Sequence, residues 1–378
     1  MSESDLLAQN TAPLRLAFLT ELYHPSVGGQ EVFFQELAEA MVRRGHSVDV
    51  FCIGHDTGLP AHEVVNGVHL HRKPNNGRYL HPVVPALRRA WSNILVYSAS
   101  MRRIASREAH DFYLMNEWPL MHVPALPRKA RARSGIHWCE IRQDRILTTL
   151  QQRLPRLVRA NFAVSAAVAA AIEEQSGQRP VVVLPSGIQL ERYRQAPRAA
   201  RSGVLYVGRL AAHKNLPLLI DAFALAVARG LIGDLHIAGD GPSRHDIAEY
   251  VGRSKVADRI HVLGPVSEAE KIDLLSRAAV FGMPSRREGF PRVITEAMAS
   301  GLPVVTARFP ENGAQSVVAQ YNAGVVCDTE PADFAEALLT ADAQWDAFSA
   351  AGLAGAKELD WSGIAGTLEA RVLEILGR

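Results

Sequence analysis

Met283-Pro284-Ser285-Arg286-Arg287-Glu288-Gly289-Phe290-Pro291-Arg292-Val293-Ile294-Thr295-Glu296-Ala297-Met298-Ala299-Ser300-Gly301-Leu302-Pro303-Val304-Val305 reads in order as the end of a strand, a polar loop, a helix, a glycine stop and a buried strand. Two parallel strands joined by a helix make a βαβ unit. Glu288 stands in the loop and Glu296 in the helix. Pro291 falls in the first helical turn, where its missing N–H is not needed. The free amides of such a turn favour an anion. Amides for an anion and carboxylates for hydroxyls suit a ligand that carries both. Loop, helix, glycine and strand are equally an ordinary α/β connection, and a helical Glu is commonly a solvated face.

The same rhythm runs outward from this stretch. Val204–Val207, Leu235–Ala238, Ile260–Leu263, Ala279–Met283 and Pro303–Thr306 read as buried strands, with helices near 215–229, 243–252, 267–277 and 291–300. In the first half, Leu14–Thr20 is an apolar run suited to a buried parallel strand, Glu31–Arg44 has helical periodicity ended by Gly45, and Val48–Ile53 is the next strand. Further short strands fall at Phe112–Met115, Gly135–Trp138, Phe162–Val164 and Val181–Leu184. The aperiodic Arg/Ala/Pro segment Tyr193–Ser202 marks a boundary. The expected organisation is a tail over 1–13, an α/β domain over 14–192, a second over 193–360, and an amphipathic helix over 361–378.

Three strand exits in the second half carry candidate chemistry, because α/β sheets bind ligands beyond the carboxyl ends of their strands. Gly208-Arg209 with Lys214 places two cations at one exit, a fork suited to phosphate and a compact charge. Gly239-Asp240-Gly241 is a Gly-rich turn but neither a GxGxxG fingerprint nor a Walker motif. Val262-Leu263-Gly264 is a third exit, able to hold a flat ring by its backbone. In the first half, Gly28-Gly29 opens a helix and His137 lies at a strand end. The alternatives are solvated cations, plain turns and a structural histidine.

The 378 residues suit two domains, and a formal net charge of +2 argues against a general nucleic-acid binder. No apolar run is long enough to span a bilayer, and the polar N-terminus lacks a secretory pattern. Cys52, Cys139 and Cys327 form no CxxC, so buried thiols in a reducing cytoplasm are expected rather than a zinc site. Charge is uneven: from His71 to Ala160, 17 Arg and Lys stand against 5 Asp and Glu. Arg88, Arg89, Arg102, Arg103 and Arg107 flank the apolar stretch Trp91–Met101, and Arg128, Lys129, Arg131 and Arg133 form a second cluster. Such a face suits anionic lipid or a phosphorylated acceptor, or is a solvated helix.

With these residues in view, the chain resembles the family 4 glycosyltransferases, retaining enzymes of the GT-B fold, from about Leu14 to Trp361. The resemblance rests on Tyr206-Val207-Gly208-Arg209-Leu210 with Lys214-Asn215, on Ala238-Gly239-Asp240-Gly241-Pro242, and on a Glu-x7-Glu pattern from Glu288-Gly289-Phe290 to Glu296-Ala297-Met298. It implies two doubly wound Rossmann-like domains facing across a cleft, with the C-terminal helix crossing back to the first. It also implies a nucleotide-sugar donor carrying UDP or GDP, and a hydroxyl-bearing glycan, lipid-linked or natural-product acceptor. The implied roles follow residue by residue. Arg209 and Lys214 hold the donor diphosphate, Glu288 faces the donor sugar, Glu296 binds ribose, and Gly289 and Phe290 bring backbone close to the sugar. His137 touches the sugar, Gly28 and Gly29 lie near phosphate and acceptor, and Gly208, Gly239, Gly241, Val262 and Gly264 complete the donor site. Pro291 stands where the family usually has Gly, which bears on donor identity. Met115-Asn116-Glu117-Trp118-Pro119 lacks the usual His-rich pattern, leaving Glu117 as an acceptor contact or a surface carboxylate. No cofactor and no metal are expected, since the two cations can neutralise the diphosphate. A cytoplasmic enzyme, peripheral to the inner face of a membrane, fits this reading. A sugar-nucleotide epimerase or phosphorylase on the same fold, and an inactive subunit, remain the alternatives.

Overall fold

The computed structural model describes residues 12–26, 28–77, 79–80, 89–107, 110–139, 149 and 152–378. The expected tail, as far as residue 11, and Arg88 of the basic stretch lie outside the described residues. The chain forms two compact units, Met1–Gly187 with Trp361–Arg378, and Ile188–Asp360.

The first unit is built on an eight-stranded sheet. Its strands are β1 (Arg15–Leu19), β2 (Ser47–Gly54), β3 (His62–Val65), β4 (Val68–Asn75), β5 (Phe112–Asn116), β6 (Ser134–Trp138), β7 (Ala160–Ala163) and β8 (Val181–Val183). They lie in the order β3-β4-β2-β1-β5-β6-β7-β8, parallel except for the β3/β4 pair. The β3/β4 hairpin turns at Asn66-Gly67, whose φ values of 50° and 82° fit the tight turn that matches strand twist. Helix α1 (Gly29–Arg43) buries Phe33, Phe34, Leu37 and Met41 against the sheet. The final helix belongs to this unit: Trp361, Ile364, Ala365, Leu368 and Val372 join the same core, Trp361 Nε1 donates to Glu36 Oε2 (3.0 Å), and Arg44 pairs with Glu369 (2.5 Å).

The second unit has a six-stranded parallel sheet of β9 (Val204–Val207), β10 (Leu235–Ala238), β11 (Ile260–Gly264), β12 (Val280–Met283), β14 (Val304–Ala307) and β16 (Gly324–Cys327), ordered β11-β10-β9-β12-β14-β16. A two-residue ladder joins β13 (Arg287–Glu288) to β15 (Glu311–Asn312), with Glu288 opposite Asn312. The segment expected as a boundary, Tyr193–Ser202, is mostly exposed but is anchored at Arg201. Arg201 is buried and donates to the carbonyls of Ala196, Leu275, Ala278 and Ser300. Ile188 N donates to Leu359 O (2.9 Å), so the division falls at Gly187/Ile188 rather than at 192/193.

Both sheets reverse their winding once. In chain order the second runs outward from β9 in one direction and from β12 in the other, and the parallel strands of the first do so from β1 and β5, with the antiparallel β3 folded back onto the outer edge of β4. At such a point neighbouring crossovers leave on opposite faces and open a crevice beyond the strand ends. Among the described residues, no helix is long and apolar enough to cross a membrane. The three cysteines are free, and burial pushes the Cys52 thiol up to about 12.

Candidate active site

In the second unit the crevice lies beyond β9 and β12, and its floor is stitched from backbone. Gly208 N donates to Ala238 O (3.0 Å), Gly239 N to Gly264 O (2.7 Å) and Leu210 N to Asp240 O (2.9 Å). Three strand exits therefore hold one another. At Gly239 the backbone has φ +136°, and a Cβ would stand 1.9 Å from Gly208 O; only glycine fits this approach. Arg209 projects from this floor as an exposed side chain. The Tyr206 hydroxyl donates to Arg209 O (3.2 Å), and burial together with the charge of Glu288 keeps that hydroxyl protonated.

Lys214 closes a short turn (Ala212–Lys214) just before helix α3 (Leu216–Ala228), with Asn215 in the left-handed region at φ 54°. Arg286 N donates to His213 O (2.8 Å), which draws the β12 exit onto this turn. The result is an ion pair between Lys214 Nζ and Glu288 Oε1 at 2.5 Å, with side chains 13% and 10% exposed. Glu288 is set by its rung on the ladder with Asn312, whose amide donates to Thr306 Oγ1 and Ala307 O. The His213 imidazole reports the local charge. Its pKa is lowered by burial first, then by Lys214, with Arg287 and Arg209 acting the same way and Glu288 opposing. Lys214 and Glu288 thus meet at this turn, and the charges of Arg287 and Arg209 also reach His213.

Helix α5 (Arg292–Ala299) starts with Pro291 as its cap residue rather than inside the first turn, and Ile294 N donates to Pro291 O (3.0 Å). Gly289 is exposed and Phe290 half-buried against the core. Glu296 is buried on this helix and paired with Lys271 of α4 (Glu268–Arg277) at 2.9 Å. At the third exit the register jumps from Ile237↔Val262 to Ala238↔Gly264. Val262 therefore packs partly into the core, and the bulged Leu263 is the exposed side chain.

In the first unit, Gly28 caps α1, Gly29 opens it exposed, and the helix N-terminus lies beyond β1. Next to it, Asn116 Nδ2 donates to Gln30 Oε1 (2.5 Å), Gln30 Nε2 to Glu117 Oε1 (3.4 Å) and Cys139 N to Glu117 Oε2 (3.0 Å). Glu117 is not a surface carboxylate: it is buried at the end of β5 and held by this network. His137, expected against a donor sugar, is fully buried in β6. Its Nε2 donates to Leu184 O (2.9 Å), its Nδ1 lies 3.3 Å from Cys139 Sγ, and its ring stacks on Phe33. Burial drops its pKa to about 4, so it is a neutral packing group with no exposed surface for a ligand.

The family described as Glycosyltransferase Family 4 matches residues 27–192, and the one described as Glycosyl transferases group 1 matches residues 201–342. The chain is a family 4-like glycosyltransferase with the GT-B pair of Rossmann-like units. This glycosyltransferase is 25% identical, over 97% of its length and 94% of the relative's, to the GDP-mannose:cellobiosyl-diphosphopolyprenol alpha-mannosyltransferase of Komagataeibacter xylinus. Its fold is similar to sucrose-phosphate synthase from Thermosynechococcus elongatus, with TM-score 0.75 at 18% identity over 96% of this chain and 99% of that one. It is also similar to HepE of Anabaena in complex with UDP, with TM-score 0.68 at 19% identity over 96% and 100% of the two chains.

Sequence reasoning missed Lys271 and Gln30 of this glycosyltransferase. Lys271 follows the Ser267/Glu270 capping box, a readable helix start, but nothing local tells that its ammonium reaches another helix. Among the described residues, no group of three His, Cys, Asp or Glu is arranged to hold a metal ion.

Proposed function

We propose that the glycosyltransferase transfers a sugar, with retention at the anomeric carbon, from a UDP- or GDP-sugar to a hydroxyl of a lipid-linked acceptor, without a metal. The observation that carries this is the Lys214–Glu288 pair at the reversal point of the second sheet, with Arg209 exposed just past the end of β9. Arg209 and Lys214 offer a guanidinium fork and an ammonium to a diphosphate. Negative charge grows on that group as the glycosidic bond breaks, and fixed cations act most strongly there. Glu288, held by Lys214, orients sugar hydroxyls and offsets positive charge at the anomeric carbon. Because that carboxylate is tied to an ammonium, the leaving phosphate is the base at hand. It sits on the face from which it departs, so an acceptor that gives it a proton attacks from that face and configuration is kept. Glu296 takes the ribose diol, and the exits at Gly239, Gly241, Val262 and Gly264 line the nucleotide. The Gly28-Gly29 amides serve the acceptor, and Glu117, held in its buried network beside them, orders that helix start.

The relative from Komagataeibacter uses GDP-mannose and an acceptor on a diphosphopolyprenol, and the Anabaena structure holds UDP, which supports a nucleotide donor and a lipid-bound acceptor. Helix α2 (Trp91–Arg107) adds a surface. Trp91, Leu95 and Val96 are large exposed apolar side chains, and Arg102, Arg103 and Arg107 follow on the same exposed side with no acidic residue in the helix. Such a helix lies on anionic lipid with its apolar end inserted. Two of the expected cations do not contribute to this face: Arg72 is buried, and Arg89 pairs with Glu21 at 2.8 Å.

A thermal-shift screen with UDP, GDP and their sugars tests the donor, since a ligand of the native form raises the melting temperature. UDP or GDP should raise it, and excess chelator should leave the rise intact. No shift with either, or a shift abolished by chelator, counts against this reading. In sedimentation with vesicles, the protein should pellet with anionic and not with zwitterionic lipid, and Leu95→Glu should release it. Equal binding to both vesicles would remove the membrane surface from the account.

A further inference from the structure

The two carboxylates of the Glu-x7-Glu segment share an arrangement that the motif does not contain: each is paired with a lysine from another part of the chain. Lys214 takes Glu288, and Lys271 takes Glu296. Lys271 reaches Glu296 Oε2 at 2.9 Å and Glu268 Oε1 at 2.7 Å, and its side chain is 15% exposed against 9% for Glu296. Glu268 lies one helical turn away on the same helix and is largely exposed, so solvent screens its share. The bond to Glu296 crosses between helices in a nearly closed setting.

The start of α4 fixes where Lys271 stands. Ser267 Oγ accepts from Glu270 N (3.3 Å), Glu270 Oε2 accepts from Ser267 N (2.7 Å), and Lys271 N donates to Ser267 O (2.9 Å). This capping box holds the turn from which the side chain leaves. A long flexible side chain loses rotamer freedom when held this way, so the contact has to return something for it. One return follows from chemistry: one carboxylate oxygen of Glu296 is fixed, which orients the other.

From this juxtaposition we infer that Lys271 is a positioning residue for the donor nucleotide: it holds Glu296 so that the free carboxylate oxygen accepts from the ribose 2′- and 3′-hydroxyls. The inference rests on the proposed ribose role of Glu296. It places Lys271 in ground-state binding of the donor and outside the bond-breaking step.

The test compares whichever of UDP and GDP stabilises the wild-type protein more with its 2′,3′-dideoxy analogue. Wild type should bind the ribonucleotide about tenfold more tightly, a difference equal to about 1.4 kcal/mol. Lys271→Met should lose most of that preference while its affinity for the dideoxy analogue stays the same, and Lys271→Arg should restore part of it. In turnover, Lys271→Met should raise the donor KM by about the same factor and leave kcat within about twofold. A purely structural lysine would weaken both nucleotides equally and lower the melting temperature in proportion, and that result overturns the inference. Glu296→Gln separates this inference from the reading beneath it. If wild type shows no ribose preference, or Glu296→Gln keeps it, the ribose role of Glu296 falls and Lys271 with it. If Glu296→Gln loses the preference and Lys271→Met keeps it, only the role of Lys271 falls.

Discussion

Lys214→Ala should lower turnover by a factor on the order of hundreds, the loss seen when one fixed donor to a developing oxyanion is removed. Two effects add. The ammonium no longer meets the leaving diphosphate, where charge grows most in the transition state. Glu288, largely shielded from solvent, also loses its partner at 2.5 Å. An unpaired carboxylate in such a setting is costly, and it would face the incoming diphosphate as a like charge. Arg209→Ala should reduce turnover by a comparable factor through the first effect alone, because Arg209 is exposed on the floor of the exits. The two substitutions therefore differ in stability more than in rate: Lys214→Ala lowers the melting temperature and Arg209→Ala leaves it nearly unchanged. Steady-state kinetics on both, with melting curves, separate the two contributions. Turnover near wild type in both variants would take these cations out of the mechanism.

How much of this was legible beforehand depends on whether the deciding interaction was local. Strands such as Val204–Val207 and Val280–Met283 announce themselves because a strand buried on both faces must be apolar throughout. The helices from Leu216 and Glu268 are marked by Pro and by a capping box, which act within one turn. The β3/β4 hairpin was missed although Asn66-Gly67 is a strong turn signal. Its strand Val68–Asn75 alternates only over Val68–His71 before running into Arg72-Lys73, and Arg72 there is buried only because Pro60 O, His24 O and Glu63 receive its guanidinium. Glu117 and His137 show the same limit. Each sits at a strand end, where ligand groups and core groups have the same local sequence. Gln30, Cys139, Leu184 and Phe33, all brought in from elsewhere in the chain, place Glu117 in a buried polar network and His137 in the core. The motif residues Arg209, Lys214 and Glu288 were recognisable as a set, but the lysine–carboxylate pairing that orders them is tertiary.

Gly239→Ala should destabilise the second unit by roughly 3 kcal/mol or more, through strain and steric overlap of about 1–3 kcal/mol each. At φ +136° an alanine sits in a region that L side chains rarely adopt, and its methyl would lie 1.9 Å from Gly208 O. Neither partner can step aside cheaply. Gly239 is held by its own N–H to Gly264 O at 2.7 Å, and Gly208 by its N–H to Ala238 O at 3.0 Å. Gly230→Ala is the matched comparison, because Gly230 has φ +102° but nothing within 4 Å of its added methyl. That variant bears the conformational cost without the collision, so the difference between the two melting temperatures measures the close approach itself. A domain of this size shifts by about 2–4 °C per kcal/mol, which makes the difference easy to resolve. Function should follow the same contrast. Relieving the overlap must move Gly208, and Arg209 moves with it, so Gly239→Ala should also blunt the stabilisation by UDP or GDP while Gly230→Ala keeps it. If the two alanines cost the same and bind nucleotide alike, the exits yield to one added methyl. The floor on which Arg209 stands would then be too soft to hold a guanidinium in register with a breaking phosphate bond.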